Sequence, residues 1–318
     1  MKSFLVNLFP SFMVKFFARA YVAGVGIDCG IKKARELWEE QKIASTIDML
    51  GEEVTNREDV DKIVQIYLSL IEKLHGESFP KHVSIKPTSL GIDIDKNLCL
   101  DNLENILKRA EEEKVIVTLD MEDSTYTDIT LELYKTLKPK YEFGTVLQSR
   151  LHRTKDDILN LTGFNARVRM CIGVYNEDKS IAHVKKREMK KKLVEYTGLL
   201  LDNQHKVDVA THDHKCIVEA LKQIEERGQG KDDAEFQFLL GVPRQRIQTE
   251  LIRRGYTVRL YVPFTIEWKC AIAYLRRRLI ENPSMIYLGG LDFIGRIIQP
   301  ITNRKRKPIL PPQPNPSS

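Results

Sequence analysis

The clearest sign of the architecture is Val115-Ile-Val-Thr-Leu-Asp120-Met-Glu-Asp123. Residues of high strand propensity run without interruption into three carboxylates, as in a buried strand that turns polar where it leaves the sheet. Seven more runs of this kind stand around it: Ser45 to Leu50, Val83 to Lys86, Gly144 to Gln148, Arg167 to Ile172, Lys206 to Thr211, Glu235 to Leu240 and Thr257 to Val262. Amphipathic stretches such as Arg57 to Leu74 and Leu103 to Glu113 lie between them, long enough to return each strand parallel to the one before. Eight strand–helix units over about 220 residues predict an α/β protein, a closed (β/α)8 TIM-like barrel with an N-terminal helical extension. An open doubly wound sheet is the alternative. The division that follows is a helical arm over 1–43, the barrel over 44–300 and a basic, proline-rich tail over 301–318.

In such a barrel the C-terminal strand ends form the rim where chemistry is built, and Lys86, Asp120, Gln148, Thr211 and His212 all fall there. The carboxylates of Asp120, Glu122 and Asp123 suit a divalent metal, acid–base work or pairing with Arg169 two strands on. A cation such as Arg169 inside a strand is costly to bury unless it meets an anion, and a phosphate or flavin would serve. Thr211-His-Asp-His214 carries the H-x-H of metal-dependent hydrolase barrels, which use it on their first strand. Here it falls on the sixth, so a hydrolase using His212, His214 and Asp120 is the weaker alternative. Asp93-Ile-Asp-Ile-Asp-Lys-Asn97 imitates a calcium loop, but Leu98 takes the place of the turn glycine, which favours a loop leading into a capped helix. Gly24-Val-Gly-Ile-Asp-Cys-Gly30 has the wrong spacing for a dinucleotide loop and reads as a turn.

The 318 residues carry a net charge of +6, with 42% hydrophobic and 30% charged residues, the balance of a soluble globular chain. Basic residues cluster in Lys185 to Lys192 and Arg304 to Lys307; a solvated helix face and an extended tail account for them, with anionic lipid as an option. No zinc-finger spacing or aromatic-basic pattern points to nucleic acid. Five scattered cysteines imply neither a disulfide framework nor a thiolate metal site, and place the chain in the cytoplasm. Residues 3–20 are apolar but broken by Pro10 and Lys15, too short to span a bilayer. They suit a packed helix or a shallow anchor on the inner face of the cell membrane.

Tyr274-Leu-Arg-Arg-Arg-Leu-Ile-Glu-Asn282, read as a helix, puts Tyr274, Arg277, Arg278 and Glu281 on one flank, where a guanidinium fork can grip a carboxylate. Together with Asp48-Met-Leu-Gly-Glu52, Leu119 to Ser124, Arg169-Met-Cys-Ile-Gly-Val-Tyr175, Ala210-Thr-His212, Glu235 to Gly241 and Tyr261-Val-Pro, this stretch resembles the proline dehydrogenase family. The similarity runs in order from about residue 21 to Asn282.

The resemblance implies FAD-dependent oxidation of L-proline to 1-pyrroline-5-carboxylate, with electrons passed to a quinone. It implies that Arg277 and Arg278 clamp the substrate carboxylate, that Lys86 lies beside the substrate, and that Tyr274, Leu239 and Tyr261 wall the ring. Asp120 and Arg169 would be the active-site pair. Met121, Gln148, Arg169, the Ile172-Gly173-Val174 turn, Thr211 and His212 would hold FAD, and Glu281 would orient the arginines. Ile172 stands where the family pattern has lysine, which implies one cationic contact fewer to the flavin. A barrel that has lost catalysis and serves as a binding module is a third option, disfavoured by the intact rim.

Overall fold

The computed structural model describes residues 20–51, 54, 56–281 and 310, leaving aside the side chains of 273 and 277–281. Eight parallel strands close in sequence order: β1 (Ala44–Leu50), β2 (His82–Ile85), β3 (Ile116–Leu119), β4 (Gly144–Gln148), β5 (Arg167–Cys171), β6 (Lys206–Ala210), β7 (Ala234–Leu239) and β8 (Thr257–Thr265). β8 returns to β1 in register from Ala44↔Arg259 to Leu50↔Thr265. The expected closed barrel is therefore the observed one, and the open sheet falls away. Lys86, Asp120, Ile172, Thr211 and Leu240 each stand one residue past their strand, so they leave the ladder and sit on the rim.

The helices are α1 (Ile27–Gln41), α2 (Arg57–Lys73), α3 (Lys96–Glu112), α4 (Thr127–Leu137), α5 (Thr154–Leu159), α6 (Lys186–Asp202), α7 (His214–Glu226), α8 (Gln245–Arg253) and α9 (Trp268–Glu281). α2 shows why they form. Asn56 caps it by accepting from the Asp59 amide, acids fill its first turn, and Val60, Val64, Tyr67, Leu70 and Ile71 bury one face. Asp95 caps α3 in the same way, so the imitation calcium loop is the lead into a capped helix. The turn expected over Gly24 to Gly30 is shorter than its sequence suggested: Gly24 and Gly26 have positive φ, but α1 begins at Ile27 and takes in Cys29 and Gly30. A β-carbon on Gly30 would stand 3.1 Å from Ile47 and 3.3 Å from Phe264, so its smallness lets α1 press onto β1 and β8.

Apolar residues on the outer strand surface (Ile47, Val83, Val117, Val168, Val207, Phe236, Val258) pack against the helices and form the main core. The inner surface is different. TIM barrels usually fill it with layers of branched aliphatic side chains, whereas this one places hydrogen-bonded polar groups there. The apolar arm over 3–19 and the tail over 301–309 and 311–318 lie outside the described residues.

Candidate active site

Strand side chains alternate between the two faces of a sheet, so the inward set can be read at every second position. From β1 comes Asp48, from β2 His82, Ser84 and then Lys86, from β3 Thr118 and then Asp120. β5 gives Arg167 and Arg169, β6 Asp208, β7 Glu235 and Gln237, β8 Arg259 and Tyr261.

Asp120 is the hub at the mouth. Its Oδ1 accepts from Ser84 Oγ at 2.6 Å and Arg169 Nη1 at 2.5 Å, and its Oδ2 accepts from Tyr261 Oη at 2.6 Å. Lys86 Nζ stands 3.5 Å from that same Oδ2 and donates to Asp48 Oδ1 at 2.7 Å. The Arg169 guanidinium also lies 5.2 Å from the centre of the Tyr261 ring, within cation–π range. Burial alone would raise the Asp120 pKa, but Arg169, Lys86 and hydrogen bonds from Ser84 and Tyr261 together outweigh it and hold the carboxyl below its ordinary value. Tyr261 moves the other way. Burial, then the Asp120 and Asp48 carboxylates, keep its phenol protonated well above the usual range.

Below the hub the polar chain continues towards the opposite end. Arg169 Nε donates to Gln237 Oε1 at 2.7 Å, and Gln237 Nε2 donates to Asp208 at 2.9 Å and Glu235 at 2.7 Å. Glu235 accepts from Arg259 at 2.6 Å and lies 2.7 Å from Arg167, beside a cavity of about 160 Å³. Each buried charge thus meets an opposite charge, the condition under which burying it is tolerable.

A second group lies over the ends of β4 to β7. Gln148 Nε2 donates to the Glu122 carbonyl at 2.7 Å, which fixes the amide; its Oε1 is buried with no hydrogen-bond partner among the described residues. That oxygen is 2.2 Å from where a β-carbon on Gly173 would be, and Gly173 has φ of 96°. Thr211 is buried, its Oγ1 accepting from the Asp213 amide at 3.2 Å. His212 Nε2 accepts from the Leu239 amide at 3.3 Å. Met121 is buried, Ile172 half-buried, and Val174 exposed.

A family model described as proline dehydrogenase matches residues 31–175 and 178–286, most of the chain and all eight strands. The chain belongs to the proline dehydrogenase family. It is 35% identical over 266 residues to proline dehydrogenase 2 of Bacillus subtilis strain 168, covering 83% of this chain and 86% of that protein. It is 34% identical over 272 residues to the proline dehydrogenase of Deinococcus radiodurans, covering 84% and 86%. Among solved structures it resembles proline utilization A from Bdellovibrio bacteriovorus inactivated by N-propargylglycine, with a TM-score of 0.76 at 22% identity over 94% of this chain. Proline utilization A from Corynebacterium freiburgense gives a TM-score of 0.72 at 18% identity. The chain spans 36% of the length of each, and these likenesses speak to the barrel alone.

The residues expected of a proline dehydrogenase family member fall into four sets. Lys86, Asp120, Arg169 and Tyr261 meet in one cluster. Gln148 adjoins Gly173, and Leu239 adjoins His212. Tyr274 is half-buried against Val22, Leu50 and Ala271. Arg277, Arg278 and Glu281 stand on α9, but their side chains lie outside the described residues. Asp48, Ser84 and Gln237 had no expected role, yet they contact Lys86, Asp120 and Arg169 directly. Their signal was present as polar residues at every second strand position. The hydrolase alternative finds no support: among the described residues no three His, Cys, Asp or Glu side chains are grouped to hold a metal.

Proposed function

We propose that the chain oxidises L-proline to 1-pyrroline-5-carboxylate with FAD as its cofactor and a quinone as the final electron acceptor. The observation that carries this is the Asp120 cluster on the rim of a barrel of this family: cations, a carboxylate and a phenol held in one fixed geometry. Gln148 and Gly173 suit the cofactor. A buried acceptor oxygen without a hydrogen-bond partner among the described residues, seated in the space that Gly173 leaves by having no β-carbon, fits the edge of a planar heterocycle bearing an imide N–H. Met121, Ile172, Val174, Thr211 and His212 stand around the same rim and complete the cofactor-holding set, with Arg169 beneath.

When bound, FAD supplies the hydride acceptor. The chain supplies orientation. Arg277 and Arg278, neighbours on α9, are assigned the substrate carboxylate, with Glu281 one turn on to orient them. Lys86 holds a fixed ammonium at the mouth, tethered by Asp48. Tyr261, Leu239 and Tyr274 are assigned the walls of the site.

Oxidation removes a hydride from the ring carbon and a proton from the amine to leave the imine. Asp120 stays ionised, with all its hydrogen-bond partners donating to it, so it is a weak base. Tyr261 stays protonated and is a donor. The amine proton is therefore assigned to an acceptor other than these two groups.

The test is the visible absorption spectrum of the purified protein before and after L-proline is added without oxygen. A flavin spectrum that bleaches supports the proposal. A flavin spectrum that persists overturns the substrate assignment, and a protein that stays colourless after addition of FAD overturns the cofactor. Loss of proline binding in Arg277→Ala and Arg278→Ala tests the clamp.

A further inference from the structure

In barrels of this kind the end where the strands begin serves stability, and chemistry is built at the other. Here that end opens into the cavity of about 160 Å³ beside Glu235. Strand pairing assembles its floor: β5 to β8 lie side by side, with Arg167 opposite Lys206 and Asp208 opposite Glu235. On the floor the charges answer one another. Arg167 Nη2 stands 3.0 Å from Asp208 and 2.7 Å from Glu235, and Arg259 Nε stands 2.6 Å from Glu235, so their burial is offset within the cluster.

The walls are different. Lys206, Lys231, Asp232 and Asp233 line the same cavity, two of each sign, yet none of them makes an ion pair among the described residues. Lys231 lies over the Tyr256 ring, 5.9 Å from its centre, and the Asp233 carboxylate accepts from the Gly230 amide at 3.1 Å. Four charges around one small space, none matched with another, are placed to meet something that lies between them.

A second, independent observation comes from β2. His82, two residues past Pro80 in the cavity wall, is fully buried. Its Nε2 meets Thr118 Oγ1 at 2.7 Å, and its Nδ1 has no hydrogen-bond partner among the described residues. Burial, then the Arg259 and Arg167 charges on the cavity floor, hold it well below its ordinary pKa, so the ring stays neutral. Buried polar groups ordinarily have partners, and this nitrogen lacks one at the same end of the barrel.

Two signs of charge and a small volume narrow the ligand class. A plain anion would leave Asp232 and Asp233 facing it, and a plain cation would leave Lys206 and Lys231. A cavity of about 150 Å³ accommodates benzene, so this one admits roughly six to eight non-hydrogen atoms. We infer that this end of the barrel is a second ligand site, which takes a small zwitterion of the amino-acid type, its carboxylate towards Lys206 and Lys231 and its ammonium towards Asp232 and Asp233. The floor joins the site to the mouth: Gln237 Nε2 donates to both Asp208 and Glu235, and its Oε1 accepts from Arg169, the partner of Asp120. Occupation of one end is thereby coupled to the other, and such coupling is reciprocal. The binding site stands apart from the proline and flavin assignments; only the effect on proline turnover rests on them.

The experiment is isothermal titration calorimetry of the full chain with L-alanine, propionate and ethylammonium, the last two being L-alanine without its amine and without its carboxylate. L-Alanine should bind, and each single-charge probe should bind about tenfold or more weakly, since it leaves two wall charges unmatched. Lys206→Met/Lys231→Met and Asp232→Asn/Asp233→Asn should each lower the L-alanine affinity by about tenfold or more. Unchanged thermal unfolding midpoints verify that both variants fold, and parental FAD affinity in both separates this site from the mouth. Saturating L-alanine should also shift KM for proline in the parent and leave it unmoved in Lys206→Met/Lys231→Met; an equal shift in both, or none in either, removes the coupling. The inference is overturned if L-alanine does not bind or if propionate or ethylammonium binds as tightly. It is also overturned if either wall variant keeps parental affinity, which would place the binding elsewhere.

Discussion

Tyr261, on the last strand, reaches across the barrel mouth and donates its hydroxyl to Asp120 at 2.6 Å, on the side of the carboxylate opposite Arg169. Hydrogen bonds to a charged group contribute about 1.5–3 kcal/mol, so Tyr261→Phe should lower kcat/KM for proline roughly ten- to a hundredfold. Because neither Tyr261 nor Asp120 titrates near neutrality, the pH profile should keep its shape in this variant. Steady-state rates across pH check both statements. A profile whose limbs move with the substitution would make Tyr261 a proton-transfer group.

Arg169 and Asp120 are both buried, and removing one leaves the other uncompensated. Arg169→Met should therefore destabilise the fold by about 3–5 kcal/mol in urea titrations. The double variant Arg169→Met/Asp120→Leu should recover part of that loss. If the two single losses simply add, the pair is not coupled and the hub description fails.

Acid stability should depend on the lower part of the polar chain. Burial raises the Glu235 pKa, but Arg259, Arg167 and hydrogen bonds including that from Gln237 outweigh it and bring it to about 2 from an ordinary 4.5. A carboxyl depressed on folding contributes stability that is complete above its unfolded value and disappears as pH falls through the folded one. The window here runs from 4.5 down to about 2. Asp208 has the opposite sign, its pKa raised by burial and by the Glu235 charge beyond what Arg167 offsets. Glu235→Gln should be less stable than the parent at neutral pH and should lose less on acidification, as followed by circular dichroism.

Gly173→Ala should lose the cofactor. The new methyl would meet the Gln148 amide oxygen, and a φ of 96° is strained for any residue with a β-carbon. The expected product is a folded protein purified with little or no visible absorbance, whose affinity for added FAD is well below that of the parent. Normal flavin content in this variant would remove the Gln148–Gly173 pair from the cofactor site.

The barrel was legible because its eight apolar runs ended in polar residues at regular intervals, and the positions just past the strands, such as Lys86 and Asp120, were legible for the same reason. Asp48, Ser84 and Gln237 were harder to find. A serine or glutamine within a strand is compatible with either face of a sheet, and only closure of the barrel shows that Gln237 meets Arg169 across it. The partner of Arg169 was foreseeable from charge alone, whereas the chain through Gln237 to Glu235 and Arg259 depends on strand stagger that no local pattern encodes. The start of α1 was misplaced because three glycines suggested a loop, although one of them is a contact point between helix and sheet.

The seam between β1 and β8 joins residues more than 200 positions apart: Arg259 donates to the Ser45 carbonyl across a separation of 214. Chains emerge from the ribosome N-terminus first, so Asp48 is made early and must wait for nearly the whole chain before Tyr261 can take its place near it. Asp120, likewise, has Ser84 and Arg169 long before Tyr261 exists. A nascent chain therefore carries most of the charged groups of the mouth without the strand that completes them, and a C-terminally truncated product would lack both the seam and the phenol. Assembly of this site is a late event in the life of the polypeptide, which couples completion of synthesis to the onset of chemistry.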